Sequence, residues 1–312
     1  MEAFRPEGEW LRCALHAHTT RSDGELEPEA LAAHYERAGY DVLAITDHWK
    51  RTEAPSSEGL LVLPSVELNC ILPGARDGHV LGYGLEADAD LAADMALLGA
   101  EYADLERTAA FIVGHGGVAY LAHPYWTGVT PGELELPDNV AGIEVWNAGC
   151  ELEVGRGLSS VHWDELLETG RRCYGLATDD SHHPGFDSDR GWTWLRVEER
   201  TPAAVLAALS SGSFYGSSGP LLHGFEVAGV EAAGEAVEVR CSPARSVTLV
   251  AGRSTGAAVN AGRLGYRYAG TVLTTDDAGW ITQARLTKPF GTPFARIEVT
   301  DAAGCRAWTN PL

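Results

Sequence analysis

The sequence predicts an α/β fold carrying an all-β tail, and three observations lead there. From Leu11 to about Tyr215, short apolar runs alternate with amphipathic stretches, the signature of repeated βα units. Six histidines, interleaved with acids, fall where those runs end. Past Ser217-Ser218-Gly219-Pro220 the helical period stops, and short strand-like runs separated by Gly, Asp and Pro take over.

Leu11 to Leu15 reads as a first strand ending in His16-Ala17-His18. A helix is expected from Pro28, a residue suited to the first helical position, to Ala38, with Gly39 as its stop. Tyr40 to Thr46 is the next strand, closing at Asp47-His48, and Leu60 to Val66 runs into Glu67. His79 opens the run Val80 to Leu85, and one long helix is expected from about Leu91 to Val113, stopped by Gly114, Gly116 and Gly117. Val118 to Ala122 ends at His123-Pro124, Gly142 to Trp146 at Asn147, and Tyr174 to Thr178 at Asp179-Asp180. Candidate ligands at strand C-termini suit a β/α barrel, where the βα loops converge on the axis. In the tail, Gly224 to Val230, Ala236 to Cys241, Ser246 to Val250, Tyr266 to Val272, Ile281 to Leu286 and Ala295 to Val299 predict a small β-sandwich. The division is therefore residues 1–220 and 221–312, and the tail's lone His223 is expected to be a polar surface or packing residue.

With 312 residues, 45% of them hydrophobic, the chain has ample material for a large core. No apolar run approaches bilayer length, and Met1 to Trp10 shows neither a basic leader nor an apolar stretch, so a cytoplasmic protein is expected. The six cysteines are scattered without a C-x-x-C pair, which points to reduced core thiols. A net charge of -21 opposes binding to the phosphate backbone of a long nucleic acid and favours a small substrate.

The chemistry lies in His16, His18, Asp23, His48, Glu67, His79, His123, Asp180 and His182. Strand side chains alternate with period two, so His16 and His18 share a side and can share an ion. Asp23 follows in the Ser22-Asp23-Gly24 turn, and Glu67 ends a β run where an acid is costly unless it is paired or metal-bound. His123 precedes a proline, which favours an extended backbone there. In Asp179-Asp180-Ser181-His182-His183, alternation pairs Asp180 with His182 and turns Asp179 and His183 elsewhere, toward orienting roles. Imidazoles and carboxylates together suit Zn, Fe or Mn.

The ordered series H-x-H, S-D-G, T-D-H, an isolated Glu, G-H-x-x-G, A-H-P and D-x-H resembles the polymerase and histidinol phosphatase (PHP) superfamily across about residues 11 to 185. The resemblance implies a distorted (β/α)7 barrel holding two or three divalent ions (Mn, Fe or Zn), in a family whose free-standing members mostly hydrolyse phosphate esters. Carried over by position, it implies a first site of His16, His18, Glu67 and Asp180. A second would be Asp23, His48 and His182, and a third Glu67, His79 and His123. Phe214 to Pro220 and Ala307 to Pro311 are similar to a carbaryl-hydrolase-like branch, whose name points to a carbamate ester.

The expected function is metal-dependent hydrolysis of a small phosphate ester, a phosphomonoester or phosphodiester, with a metal-bridging hydroxide as nucleophile. Arg190 is a candidate clamp for the phosphate and His183 a candidate acid for the leaving group. Tyr125, Trp126, Trp146, Asn147 and Trp192 stand near the expected rim, where an aromatic group could stack. The rival readings are carboxyl-ester or carbamate hydrolysis by the same centre, and a non-catalytic metal-dependent scaffold whose β-module binds a partner.

Overall fold

A computed structural model describes residues 8–86, 91–231, 234–262 and 270–312, without the side chains of 223 and 225–231. Of Met1 to Trp10 only 8–10 are therefore described; the side chain of His223 and the first part of the Tyr266 to Val272 run lie outside the described residues.

The chain begins with β1 (Glu9–Ala14), whose Leu11, Cys13 and Ala14 are buried, followed by α1 (Pro28–Arg37). Pro28 opens α1 as expected, and Gly39, at φ +79°, takes the chain away from it. β2 (Val42–Ile45) is buried throughout, and β3 (Leu61–Leu72) and β4 (Arg76–Tyr83) follow. Next come α2 (Leu91–Ala100), α3 (Leu105–Gly114), β5 (Val118–Leu121), β6 (Val140–Asn147), α4 (Ala148–Val154) and α5 (Ser160–Glu168). β7 (Tyr174–Thr178), β8 (Trp192–Val197), α6 (Pro202–Ser211) and β9 (Phe214–Ser217) complete this part.

Two expectations need correction. The long helix from Leu91 to Val113 is two helices, because Asp104 leaves the helical conformation to accept the Arg107 N–H at 2.9 Å and cap α3. β3 does not stop at Glu67; it continues to Leu72 and turns back through Gly74 and Ala75, both at positive φ, into β4. Glu67 therefore sits inside an antiparallel ladder, opposite Leu81, rather than at a strand end.

The tail holds β10 (Leu222–Glu231), β11 (Gly234–Ala244), β12 (Ser246–Ala251), β13 (Gly256–Asn260) and β14 (Gly270–Thr275). β15 (Ile281–Pro289), β16 (Ala295–Thr300) and β17 (Arg306–Thr309) end it. β13 and β17 have no counterpart among the expected runs; both are short, and β13 is rich in small residues.

Among the described residues the result is a mixed sheet of 13 strands and a smaller antiparallel sheet of four, with order β10-β11-β15-β14. In the large sheet β1-β2-β3 and β5-β6-β7 run parallel, whereas β3-β4-β5 is antiparallel. β7 ends the ladder order, yet the sheet curls so that its C-terminal end returns to β1. There the His18 N–H donates to the Ser181 carbonyl at 2.9 Å and the Asp180 N–H to that of His16 at 3.0 Å. Leu11, Val42, Leu63, Leu81, Tyr120, Leu176 and Phe214 pack inside the curl, and a second cluster lies between the strands and α2, α3 and α5. β17 pairs with β9, so β12, β13, β16 and β17 extend the large sheet, and their inner face packs on the small one through Val237, Leu249, Leu286 and Ile297. No helix among the described residues is long and apolar enough to cross a membrane.

Candidate metal centre

The curl brings all nine candidate ligands to one end of the sheet. His16 Nε2 lies 3.2 Å from Glu67 Oε2 and 3.1 Å from Asp180 Oδ1, and His18 Nε2 faces the same two oxygens at 3.2 and 3.3 Å. His48 Nδ1 approaches Glu67 Oε2 at 3.4 Å, while the other oxygen, Oε1, faces His79 Nδ1 at 2.9 Å and His123 Nε2 at 3.4 Å. Asp23 meets His18 at 3.5 Å, His48 at 3.7 Å and His182 at 3.5 Å. Five imidazoles thus surround one glutamate, and three surround one aspartate.

These contacts do not satisfy the atoms that make them. His16 Nε2, His18 Nε2, His48 Nδ1, His79 Nδ1 and Glu67 Oε1 are buried with no hydrogen-bond partner among the described residues, and so is His123 Nδ1, the other nitrogen of the ring that meets Glu67 through Nε2. An unsatisfied buried polar atom costs about 1–3 kcal/mol, so such a group is an arrangement that a further bound species would complete. Among the described residues four sets of donors could each hold a cation: His18-Asp23-His48-His182, His16-His18-Glu67 and His48-Glu67-His79, which share residues, and His123-Cys150-Asp180, which shares none with them. The donor chemistry, imidazole with bridging carboxylate, fits divalent transition ions.

The charges agree. Burial pulls the His16 imidazolium down, but Asp180, Glu67 and Glu144 outweigh it and hold its pKa well above the usual value. Burial acts on His18 likewise, and Asp180 and Glu67 lift it to about 9. Glu67 and Asp180 are held far below the usual carboxylate range, the imidazoles overcoming a burial that alone would raise them. The carboxylates thus favour the protonated form of His16 and His18, whereas burial and the neighbouring His18 and His79 hold His48 below its usual value.

A surrounding layer orients the donors. Glu144, fully buried in β6, places Oε1 2.7 Å from His16 Nδ1 and also accepts the Thr178 hydroxyl, the His123 N–H and the Asn147 amide. Holding His16 by Nδ1 leaves Nε2 for the centre. Asp47 accepts the Thr19 N–H at 2.7 Å, the Thr19 hydroxyl at 2.6 Å and the Ser22 hydroxyl at 2.8 Å, fixing the loop that carries Asp23. That loop passes so close that a Cβ on Gly24 would lie 2.2 Å from the His18 carbonyl oxygen. Asp187 accepts the N–H groups of His182 and His183, each at 2.8 Å.

Asp179 and Asp180 point apart, but not by strand alternation. β7 ends at Thr178 and Asp180 adopts φ +55°, a left-handed conformation that swings its carboxylate toward His16 and His18. Asp179 turns away to accept the N–H groups of Asp189, Arg190 and Gly191 and the Tyr35 hydroxyl; burial still pushes it up to about 6. His123 is likewise not extended: at φ +27° its N–H reaches Glu144 and its carbonyl accepts from Trp126, overriding the preference that Pro124 imposes.

The other expected residues divide. The Trp126 ring lies 5.0 Å from His123 and 5.9 Å from His79, at the centre's edge, and Asn147 donates to Asp180 Oδ2 at 3.1 Å. Tyr125 packs on His162, Trp146 stacks on Trp308 and Trp192 covers Arg12, all away from the donors. His183 is two-thirds exposed and faces Glu25 at 3.5 Å. The Arg190 guanidinium donates to the Phe186 carbonyl at 2.6 Å and lines a separate groove of about 590 Å³ with Trp146 and Trp308. Neither reaches the centre. Glu144 and Cys150 were not anticipated, although the acid between Ile143 and Val145 carries the same signal that marked Glu67.

No family model matches the chain, and no curated protein does. Among solved structures it is similar over its whole length to a two-domain protein from Bacteroides vulgatus containing a predicted PHP-like metal-dependent phosphoesterase. Identity there is 15%, with 98% of that chain covered and a TM-score of 0.52. An amidohydrolase from Chromobacterium violaceum, solved with bound sulfate and no metal, matches 56% of this chain and 89% of its own at 20% identity and a TM-score of 0.39. The first likeness is one of fold, and it extends through both sheets.

Proposed function

We propose that this protein is a metal-dependent hydrolase of small phosphate esters, a phosphomonoesterase or phosphodiesterase. The observation that carries the reading is Glu67, fully enclosed and facing five imidazoles, four of which turn toward it a buried nitrogen with no hydrogen-bond partner among the described residues. His16, His18, Glu67 and Asp180 would hold one ion, Asp23, His48 and His182 a second, and Glu67, His79 and His123 a third. Divalent ions there supply Lewis acidity for the ester oxygens and lower the pKa of a water toward neutrality.

The chain's own groups do the positioning. Glu144 keeps His16 in the tautomer that presents Nε2, and Asp47 and Gly24 hold Asp23 against His18 and His48. Asn147 fixes the outer oxygen of Asp180, and Trp126 screens the His79 and His123 side with an apolar face against which a substrate group can pack. His183 and Arg190 touch none of these groups, and the reading gives them no step. The strands β1 to β7 are taken as the distorted (β/α)7 barrel, with residues 1–220 as the catalytic unit and 221–312 as a β-module supplying no ligand.

Phosphate is favoured because clustered cations match the charge of a phosphoryl group, because the net charge of -21 disfavours long nucleic acids, and because the Bacteroides protein of shared fold is described as a predicted phosphoesterase. The test is elemental analysis of the purified protein, then reconstitution with Mn, Fe(II) and Zn against phosphomonoesters, cyclic phosphodiesters, aryl carboxylates and carbamates. Release of inorganic phosphate or ring opening supports the proposal. Cleavage confined to carboxylates or carbamates replaces it with the rival ester hydrolase, and a metal-loaded protein inert on the whole panel points to a binding role.

A further inference from the structure

One thiol stands at the edge of the cluster. Cys150 is 4% exposed and lies in the first turn of α4, with Sγ 3.9 Å from Asp180 Oδ2. Sγ, a nitrogen of His123 and a carboxylate oxygen of Asp180 all lie within 4.8 Å of one another. The placement is tightly held. Asn147 accepts the Cys150 N–H at 2.8 Å and donates to Asp180 Oδ2 at 3.1 Å, so one side chain ties the thiol's backbone to the carboxylate. A Cβ on Gly149 would lie 2.8 Å from the Asp180 carbonyl oxygen, so the approach of this turn depends on the glycine. Independently, His123 is 3% exposed and its Nδ1 is buried without a partner among the described residues. Cys13 and Cys241 spend their thiols on main-chain carbonyls, whereas Cys150 faces a carboxylate and an imidazole.

We propose that Cys150 is itself a metal ligand, joining His123 and Asp180 to give the centre one soft donor among hard ones. This rests on the reading of the cluster as a metal centre. When the ion enters, the S–H bond breaks, the proton leaves to solvent and a metal–sulfur bond forms. A thiolate ligand shifts preference at that position toward Zn or Fe(II) and away from Mn.

Cobalt(II) loading of the metal-free protein separates the possibilities. Nitrogen and oxygen donors alone give weak visible d–d bands, while a thiolate adds an intense near-ultraviolet charge-transfer band. The expected result is such a band in the wild type, lost in Cys150→Ser with the d–d bands retained. Zinc-edge X-ray absorption of the wild type should show a sulfur shell at about 2.3 Å, amounting to one sulfur per chain averaged over the bound zinc ions. In competition between Zn and Mn, Cys150→Ser should raise the bound Mn:Zn ratio by about tenfold or more. Cobalt bound with d–d bands only, a charge-transfer band that survives the substitution, or a zinc edge with nitrogen and oxygen neighbours alone overturns the proposal. Cys150 would then only donate a hydrogen bond to Asp180, and the metal centre would stand. A protein that takes up neither cobalt nor zinc overturns both. Should Cys150→Ser not fold, the wild-type zinc edge decides by itself.

Discussion

Both oxygens of Glu67 face imidazoles, and the carboxyl of Asp180 faces two of the same rings, so single-atom changes at these residues alter charge without altering packing. Asp180→Asn and His182→Ala should each lower kcat/KM by more than about 10²-fold in protein that remains folded by circular dichroism. Wild-type turnover in either folded variant removes that residue from the site. Asp179→Asn should behave oppositely, losing little activity but costing about 1–3 kcal/mol in denaturant titration, because an amide nitrogen would face backbone N–H donors. Glu144→Gln should weaken metal affinity about 10- to 100-fold by loosening His16. Proton linkage gives a separate check. With His18 raised to about 9, the metal-free protein carries that proton at pH 7, whereas a metal needs the neutral ring, so binding at pH 7 must release protons and binding above about pH 9 must release fewer. Calorimetry in buffers of different ionisation enthalpy reads this directly; equal heats at pH 7 would contradict it.

At the scale of elements, the departures from simple βα repetition have local causes. The hairpin from β3 to β4 carries Glu67 into the sheet interior and brings His79 beside it two rungs away, so an antiparallel pair serves where a βα loop was expected. The break between α2 and α3 is a capping event. Asp104→Ala should destabilise the protein by about 0.5–2 kcal/mol with metal content unchanged, as measured by the urea midpoint and elemental analysis. Gly24→Ala, by contrast, should leave the helices intact and reduce the bound metal, since the added Cβ forces the Asp23 loop off His18.

At the scale of the molecule, the tail is bound into the first part in two ways. β17 pairs with β9, and the buried Arg296 of β16 grips Asp164 of α5 through two nitrogens, at 2.8 and 3.1 Å, while lying over the Trp163 ring. Trp308 and Phe294 belong to the same core cluster as β6 and α5. Truncation after residue 220 should bare the β9 edge and this apolar surface, so the fragment should aggregate, while any soluble fraction keeps the metal stoichiometry of the full chain. A side chain from beyond Pro220 found on the metal would sink the second half of that expectation.

The sequence alone singled out the nine imidazoles and acids that the fold gathers at one end of the sheet, because such residues at the ends of apolar runs are chemically conspicuous at any register, and it determined the all-β character of the tail, because turn residues and short apolar runs are local signals. It also marked α1, whose proline and glycine boundaries need no tertiary help. What tertiary structure decided are the features set by partners distant in the chain. The positive φ of Asp180 and His123, which aims one carboxylate and seats one imidazole, is stabilised by bonds to residues 21 to 164 positions away: His16 for Asp180, Glu144 for His123. The same holds for the buried Glu144, whose partners come from just past β1 and β5 as well as from β6 and β7, and for the union of β17 with β9, which joins residues some 90 positions apart. Periodicity reports which face of an element is apolar, not which other element meets it, and for that reason the clustered imidazoles and acids were readable in advance while the atoms that hold them in place were not.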